Sequence, residues 1–290
     1  MGKRLLLFLL FAIWMPSAWN KLYRGPITRR VKVSMRSWGG LHTNTGSNMG
    51  GWLIRITNAD GGFACCGAYF SPLLVITSAN CMEPFRWNLA GATADGTALT
   101  DAEIDNYAQI DIVYVPDEFV PGNTNMDIAL LKLRKPIRGR LTEFIKLCNT
   151  LPESGIFYNT YAWGYSSFVV QPPSSNPRTS IVPFQNREEC EKKFKPGFLS
   201  NTVLCVTQPK DRHECLYDGG SPLTYKNELC GIASIGSTCQ NTSTPGIYTS
   251  ILGVKKYLLK MDKELKSGAL SRRKRYIREN SAQREKNNGI

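Results

Sequence analysis

The cysteines constrain this chain more than any other feature. There are nine, at positions 65, 66, 81, 148, 190, 205, 215, 230 and 239, widely spread and with no CxxC pair. Only two histidines accompany them. Structural zinc needs cysteine and histidine clustered at short spacings, so a disulfide framework is the expected reading, and one thiol is left over. Disulfides imply an oxidising compartment, and the N-terminus agrees. Lys3 and Arg4 precede an apolar run from Leu5 to Met15, followed by the small residues Ser17 and Ala18. That run is too short to cross a bilayer and reads as a signal peptide over residues 1–20. A secreted, extracellular protein without a membrane span is expected.

The 290 residues suffice for one large all-β domain or two small ones. Residues 21–36 are basic and polar, contain Pro26 and lack periodicity, as a flexible pro-like segment would. From Trp52 onward short β-type runs recur between turn residues: Trp52–Ile56, Leu73–Thr77, Ile110–Val115, Ile128–Leu133, Thr202–Thr207, Cys230–Ile235 and Gly246–Ile251. Many short strands at this spacing predict barrels or a sandwich. Val254, Tyr257, Leu258, Met261 and Leu265 fall at helical spacing with lysines opposite, which predicts a helix packed on the β body. Beyond it, residues 266–290 are basic and read as a disordered tail. The net charge of +13 sits largely at the two ends. It is compatible with a solvated tail or with attraction to acidic proteins, glycosaminoglycans or anionic surfaces. Nucleic acid is not an expected partner, since no recognition motif accompanies the charge.

Three segments carry more information. Cys65-Cys66-Gly67-Ala68 leads to LLVITSANC, which ends at Cys81; MDIALLKL spans residues 126–133; CLYDGGSPL spans 215–223 and is followed by CGIASIG and PGIYTSI. In order and spacing these resemble the trypsin/chymotrypsin family of serine proteases, whose pattern reads CGGSLI, TAAHC, NDIALL, CxGDSGGPL, GIVSWG and PGVYT. The resemblance covers residues 37–265. It implies an all-β fold: two six-stranded antiparallel β-barrels and a C-terminal α-helix, with the site in the cleft between barrels. It also implies the pairs Cys65–Cys81, Cys190–Cys205 and Cys215–Cys239, with Cys148 reaching Cys230. This last pair departs from the common vertebrate pattern, because Tyr225 holds the usual position. Cys66 is then unpaired, either buried and inert or available for an intermolecular link.

The family's reaction needs a serine nucleophile, a histidine base and a buried aspartate that orients the histidine. Residue by residue, the aspartate's place is kept as Asp127. The histidine's place is Asn80, whose amide does not titrate near neutral pH and is no general base. The serine's place is Gly219, which has no side chain. Ser221 lies two positions on, without a base. His42 lies in the N-terminal segment, and His213 falls at the floor of the family's specificity pocket, out of reach for proton transfer. The expected catalytic set is therefore empty, and Asp127 is expected to hydrogen-bond Asn80 in a structural role.

The pocket has changed too. Tyr217 stands at the glycine whose amide helps bind the oxyanion. Ile235 replaces the tryptophan of SWG, and Gly236 follows it. With His213 these outline a degenerate binding pocket. A sequon, Asn241-Thr242-Ser243, lies beside its entrance and is expected to carry a glycan. Arg36-Ser37-Trp38-Gly39-Gly40 has the shape of an activation site, with Asp218 as the partner for the new amino group, although Ser37 is not apolar. The segment Asp95–Asp105 is too loose a match for the family's calcium loop, and no metal or cofactor is implied. The expectation is a secreted pseudoprotease of insect type. Its partners would be extracellular proteins, an active protease among them. The lack of a cysteine before Cys65 leaves no clip module, which favours a reproductive fluid over an immune cascade. Arg272-Arg273-Lys274-Arg275 resembles a processing site that would release a basic peptide.

Overall fold

The computed structural model describes residues 41–42, 51–59, 61–85, 89–93, 107–138, 143–150, 153, 155–163, 177–210, 215–235, 239 and 241–269. The expected signal peptide, the 21–36 segment with Arg36, Ser37 and residues 270–290 of the expected 266–290 tail lie outside them. So do His213, Gly236 and the 95–105 segment. Lys266, placed in the expected tail, is instead the last residue of the C-terminal helix.

Two closed six-stranded antiparallel barrels form the body. The first uses β2 (Leu53–Asn58), β3 (Phe63–Ser71), β4 (Leu74–Thr77), β5 (Leu89–Thr93), β6 (Tyr107–Tyr114) and β7 (Ala129–Leu133), closing in the order β2-β3-β4-β7-β6-β5. Its centre is the pairing of β4 with β7, where Ile76 faces Leu130 and Val75 faces Leu131. Every β4 residue is buried. Branched and γ-branched apolar side chains suit such a pleated, enclosed surface.

The second barrel uses β9 (Phe157–Ala162), β10 (Arg178–Gln185), β11 (Val203–Val206), β12 (Pro222–Tyr225), β13 (Glu228–Ala233) and β14 (Gly246–Ser250). Its ring runs β10-β11-β14-β13-β12-β9 and closes through β9 against β10. Two short strands attach outside the ring: β1 (Leu41–His42) antiparallel to β10, and β8 (Lys146–Leu147) parallel to β13. The β12–β13 hairpin turns on Lys226 and Asn227, both at positive φ (48° and 62°). Two successive left-handed residues are what a two-residue turn needs to match the strand twist.

Helix α2 (Arg187–Glu191) follows β10, and the last helix among the described residues is α3 (Ile251–Lys266). Ser250 caps it, its hydroxyl accepting from the Gly253 N–H. Ile251, Val254, Leu258 and Met261 are buried, with Tyr257 and Leu265 partly buried against the same core. This is the helix that the apolar spacing predicts. Lys255 ties it down, donating to the Cys148 carbonyl at 2.9 Å and to Asn149.

Four disulfides are present: Cys65–Cys81, Cys148–Cys230, Cys190–Cys205 and Cys215–Cys239. The Cys148–Cys230 bridge anchors β8, beside the helix, to β13. Cys66 remains a free thiol and is fully buried. It offers no surface for an intermolecular link.

Candidate functional site

The site begins where β4 ends. Ser78 leaves the strand in extended conformation and caps α1 (Ala79–Met82), accepting from the Cys81 N–H at 3.1 Å. The same hydroxyl donates to Asp127, lying 2.9 and 3.0 Å from its two carboxylate oxygens. The Asn80 N–H donates to Oδ1 at 2.8 Å, and Ser234, just past β13, donates to Oδ2 at 2.5 Å. Asp127 is fully buried. Burial pushes its carboxyl above the ordinary 3.8, and the bonds from Ser234, Asn80 and Ser78 hold it back. Because Ser234 comes from the second barrel and Ser78 from the first, this one carboxylate joins the two.

Asn80 donates to Asp127 from its main chain, and its amide, which also helps hold that carboxyl down, bonds the neighbouring loop as well. Its Nδ2 donates to the Asn123 carbonyl at 2.7 Å, and its Oδ1 accepts from the Gly122 N–H at 2.7 Å. Both ends of the amide thus bond the 122–123 loop. The hydrogen bond expected between Asn80 and Asp127 exists, with the backbone N–H as a donor.

The 218–221 turn is the second part of the site and is tied to both barrels. The Ser221 N–H closes on the Asp218 carbonyl at 2.9 Å, and Gly220 sits at φ 81° in between. The turn is pinned from both sides: the Cys66 N–H donates to Gly219 O at 3.0 Å, and the Gly220 N–H to Ala233 O at 2.9 Å. A Cβ on Gly220 would come within 2.2 Å of the Cys66 carbonyl oxygen and 2.3 Å of Thr77 Oγ1. Glycine is obligatory there for conformation and for space. Gly219 is partly exposed and presents only backbone. Ser221 is 0% exposed, its hydroxyl beside the Cys66 thiol. It points into the core and not into the cleft.

Beneath the turn, Cys66 Sγ lies 3.8 Å from Asp218 Oδ2, as a donor to that buried carboxylate. Burial first, and the Asp218 charge second, push the thiol well above its ordinary value, so it stays neutral. Sequence reasoning missed this contact, which joins residues 152 positions apart.

Of the expected pocket residues, Tyr217 is 4% exposed. Its backbone is not among the described positive-φ residues. Its hydroxyl donates toward the carbonyls of Ser234, at 3.0 Å, and Ile247, and accepts from the Ile247 N–H at 3.2 Å. Ile235 is partly exposed at the end of the same wall. Asn241 is exposed, and its Oδ1 accepts from the Ser243 N–H and hydroxyl in a local turn. Among the described residues no group of three or more acidic, cysteine or histidine side chains could hold a metal ion.

Two six-stranded barrels and a buried aspartate held by donors from both define a protein of the chymotrypsin-like class. Residues 37–258 match the Trypsin family, and the chain belongs to it. Among its relatives, Seminase of Drosophila melanogaster is 28% identical over 229 residues, covering 79% of this chain and 82% of Seminase. A Mus musculus protein named "Putative inactive serine protease 58" is 25% identical over 190 residues, covering 64% of this chain and 78% of its own. Among solved structures, mouse neuropsin, a serine protease, superposes with a TM-score of 0.64 at 20% identity, over 77% of this chain and 98% of neuropsin.

Proposed function

We propose that this chain is a secreted, non-catalytic member of the trypsin family that acts by binding a protein partner in an extracellular fluid. The observation that carries this reading is the absence of any nucleophile–base pair in the cleft among the described residues. Gly219 has no side chain to attack with. The Asn80 amide cannot take a proton near neutral pH and is bonded at both ends to the 122–123 loop. Ser221, the neighbouring hydroxyl, is sealed in the core. Nucleophilic acyl transfer in this fold needs attacking and accepting groups within about 3 Å of each other. Here the positions that would supply them hold structural groups.

What persists is the scaffold. Asp127 is held by three donors, the turn at 218–221 is pinned on both sides, and the rigid cleft can still seat a polypeptide. The mouse relative with an inactive name supports a non-catalytic reading. The relative named Seminase makes seminal fluid the first place to seek the partner, with an active protease of that fluid as the first candidate.

The test is turnover. The purified protein, both untreated and nicked by trypsin to cleave after Arg36, is offered a broad peptide-substrate library. No cleavage above buffer in either form is expected. Cleavage at a rate that scales with protein concentration, and persists through purification, overturns the reading.

A further inference from the structure

We infer that Tyr217 is a built-in occupant of the specificity pocket, so that the cleft takes no side chain from the polypeptide it binds. The trypsin-family resemblance places the specificity pocket between the segment ahead of the 218–221 turn and the segment that starts at Ser234. Tyr217 belongs to the first and bonds to the second. Its ring leaves the backbone just ahead of Asp218, turns inward and crosses to the wall, where the hydroxyl lies 3.0 Å from the Ser234 carbonyl oxygen. The same oxygen meets both polar groups of Ile247 in β14. A phenol has one proton to give and lone pairs to receive. Here it is fully satisfied by the edges of two strands.

The ring is equally well seated. It meets Tyr248 edge-on, centroids 5.6 Å apart and planes at 86°, the favoured arrangement for two aromatic quadrupoles. The Tyr248 hydroxyl in turn pairs with Thr160 at 2.9 Å. Tyr217, Tyr248, Leu223, Ala233 and the Cys215–Cys239 bridge belong to one buried cluster. An incoming side chain would have to displace a group that is buried, packed edge-on against Tyr248 and hydrogen-bonded, and that is tethered to the pocket. A tethered ligand competes at high effective concentration. Ser234 links the two halves of the site: its carbonyl receives Tyr217, and its hydroxyl holds Asp127. The partner is thus recognised by the cleft's rims and backbone, and not by an anchoring side chain.

This inference depends on where the pocket lies, and not on whether catalysis is lost, so the two are tested separately. The probes are p-cresol, which is the tyrosine side chain alone, and an acetylated peptide amide presenting one tyrosine to the cleft. Wild type and Tyr217→Phe are expected to bind neither. Tyr217→Gly, which restores the family's residue, is expected to bind both at least about tenfold more tightly than wild type, with p-cresol raising its melting temperature. Wild-type binding equal to that of Tyr217→Gly overturns the inference. So does a folded Tyr217→Gly that binds p-cresol but not the peptide, because the space is then an internal void and not the pocket. Should Tyr217→Gly fail to fold, saturation-transfer NMR on wild type decides: no signal transfer to either probe supports the occupied pocket, and transfer overturns it. Peptide hydrolysis by any of these proteins would contradict the non-catalytic reading and leave this inference standing.

Discussion

An amide carries a donor and an acceptor, and Asn80 spends both on one loop. The Gly122 N–H and the Asn123 carbonyl sit at the exposed rim, where water can replace a lost partner. Asn80→Ala should therefore cost only about 1 kcal/mol in urea unfolding, the ordinary net worth of such bonds. A loss several times larger would mean that the loop folds only around the amide. Asp127 gives a prediction in pH. Its proton is held more tightly in the fold than in the unfolded chain, since burial raises it from 3.8. Its contribution to stability is complete below that value and is lost as pH climbs through the raised one. Asp127→Asn does not titrate, so the stability of wild type minus that of the variant should fall with rising pH across this window. A difference that rises there would contradict the buried, desolvated carboxyl. That Asn80 and Gly219 stand at the family's base and nucleophile positions is the reading of the sequence motifs alone. The direction of a side chain is not legible there: Asn80 turns to a loop more than forty residues away, and Tyr217 turns inward because Ser234 and Ile247 offer it carbonyls.

At the scale of elements, the turn at 218–221 and helix α3 are the clearest tests. Gly220→Ala sets a Cβ against a main-chain oxygen at 2.2 Å while φ stays at 81°. A backbone oxygen held in a strand cannot move aside as a flexible side chain would. The expected cost is about 2–4 kcal/mol, and a midpoint in urea unchanged from wild type would show that the turn is not built this way. Leu258→Ala removes a fully buried side chain from the inner face of α3 and should cost about 2–4 kcal/mol. A near-neutral result would mean that the helix is not docked. The apolar runs announce β4, β7, β11 and β14 directly, because β4, β11 and β14 are buried along their length and β7 at all but Lys132. The hairpin of β9 and β10 is not announced by its residues. Phe157 and Ile181 point to solvent, Thr160 points inward and Pro183 interrupts the second strand, so neither apolar run nor clean alternation marks it. The helix is legible because five apolar side chains share one face and four of its lysines sit on the exposed side or at its edges.

At the scale of the molecule, two barrels are joined through one carboxylate and sealed over one tyrosine. Asp127 draws Ser78 from the first barrel and Ser234 from the second. The turn that follows Tyr217 is locked by Cys66 from the first barrel and Ala233 from the second. This interlocking fixes the turn and the carboxylate relative to both barrels. The central claim, that the cleft holds no activated nucleophile, is tested most directly by covalent labelling. The purified protein, untreated and trypsin-nicked with the trypsin then removed, is exposed to a fluorophosphonate beside an active trypsin and analysed by peptide mass spectrometry. The account predicts label on the active trypsin and none on this chain. Label on Ser221, or on any other residue of the cleft, would contradict it.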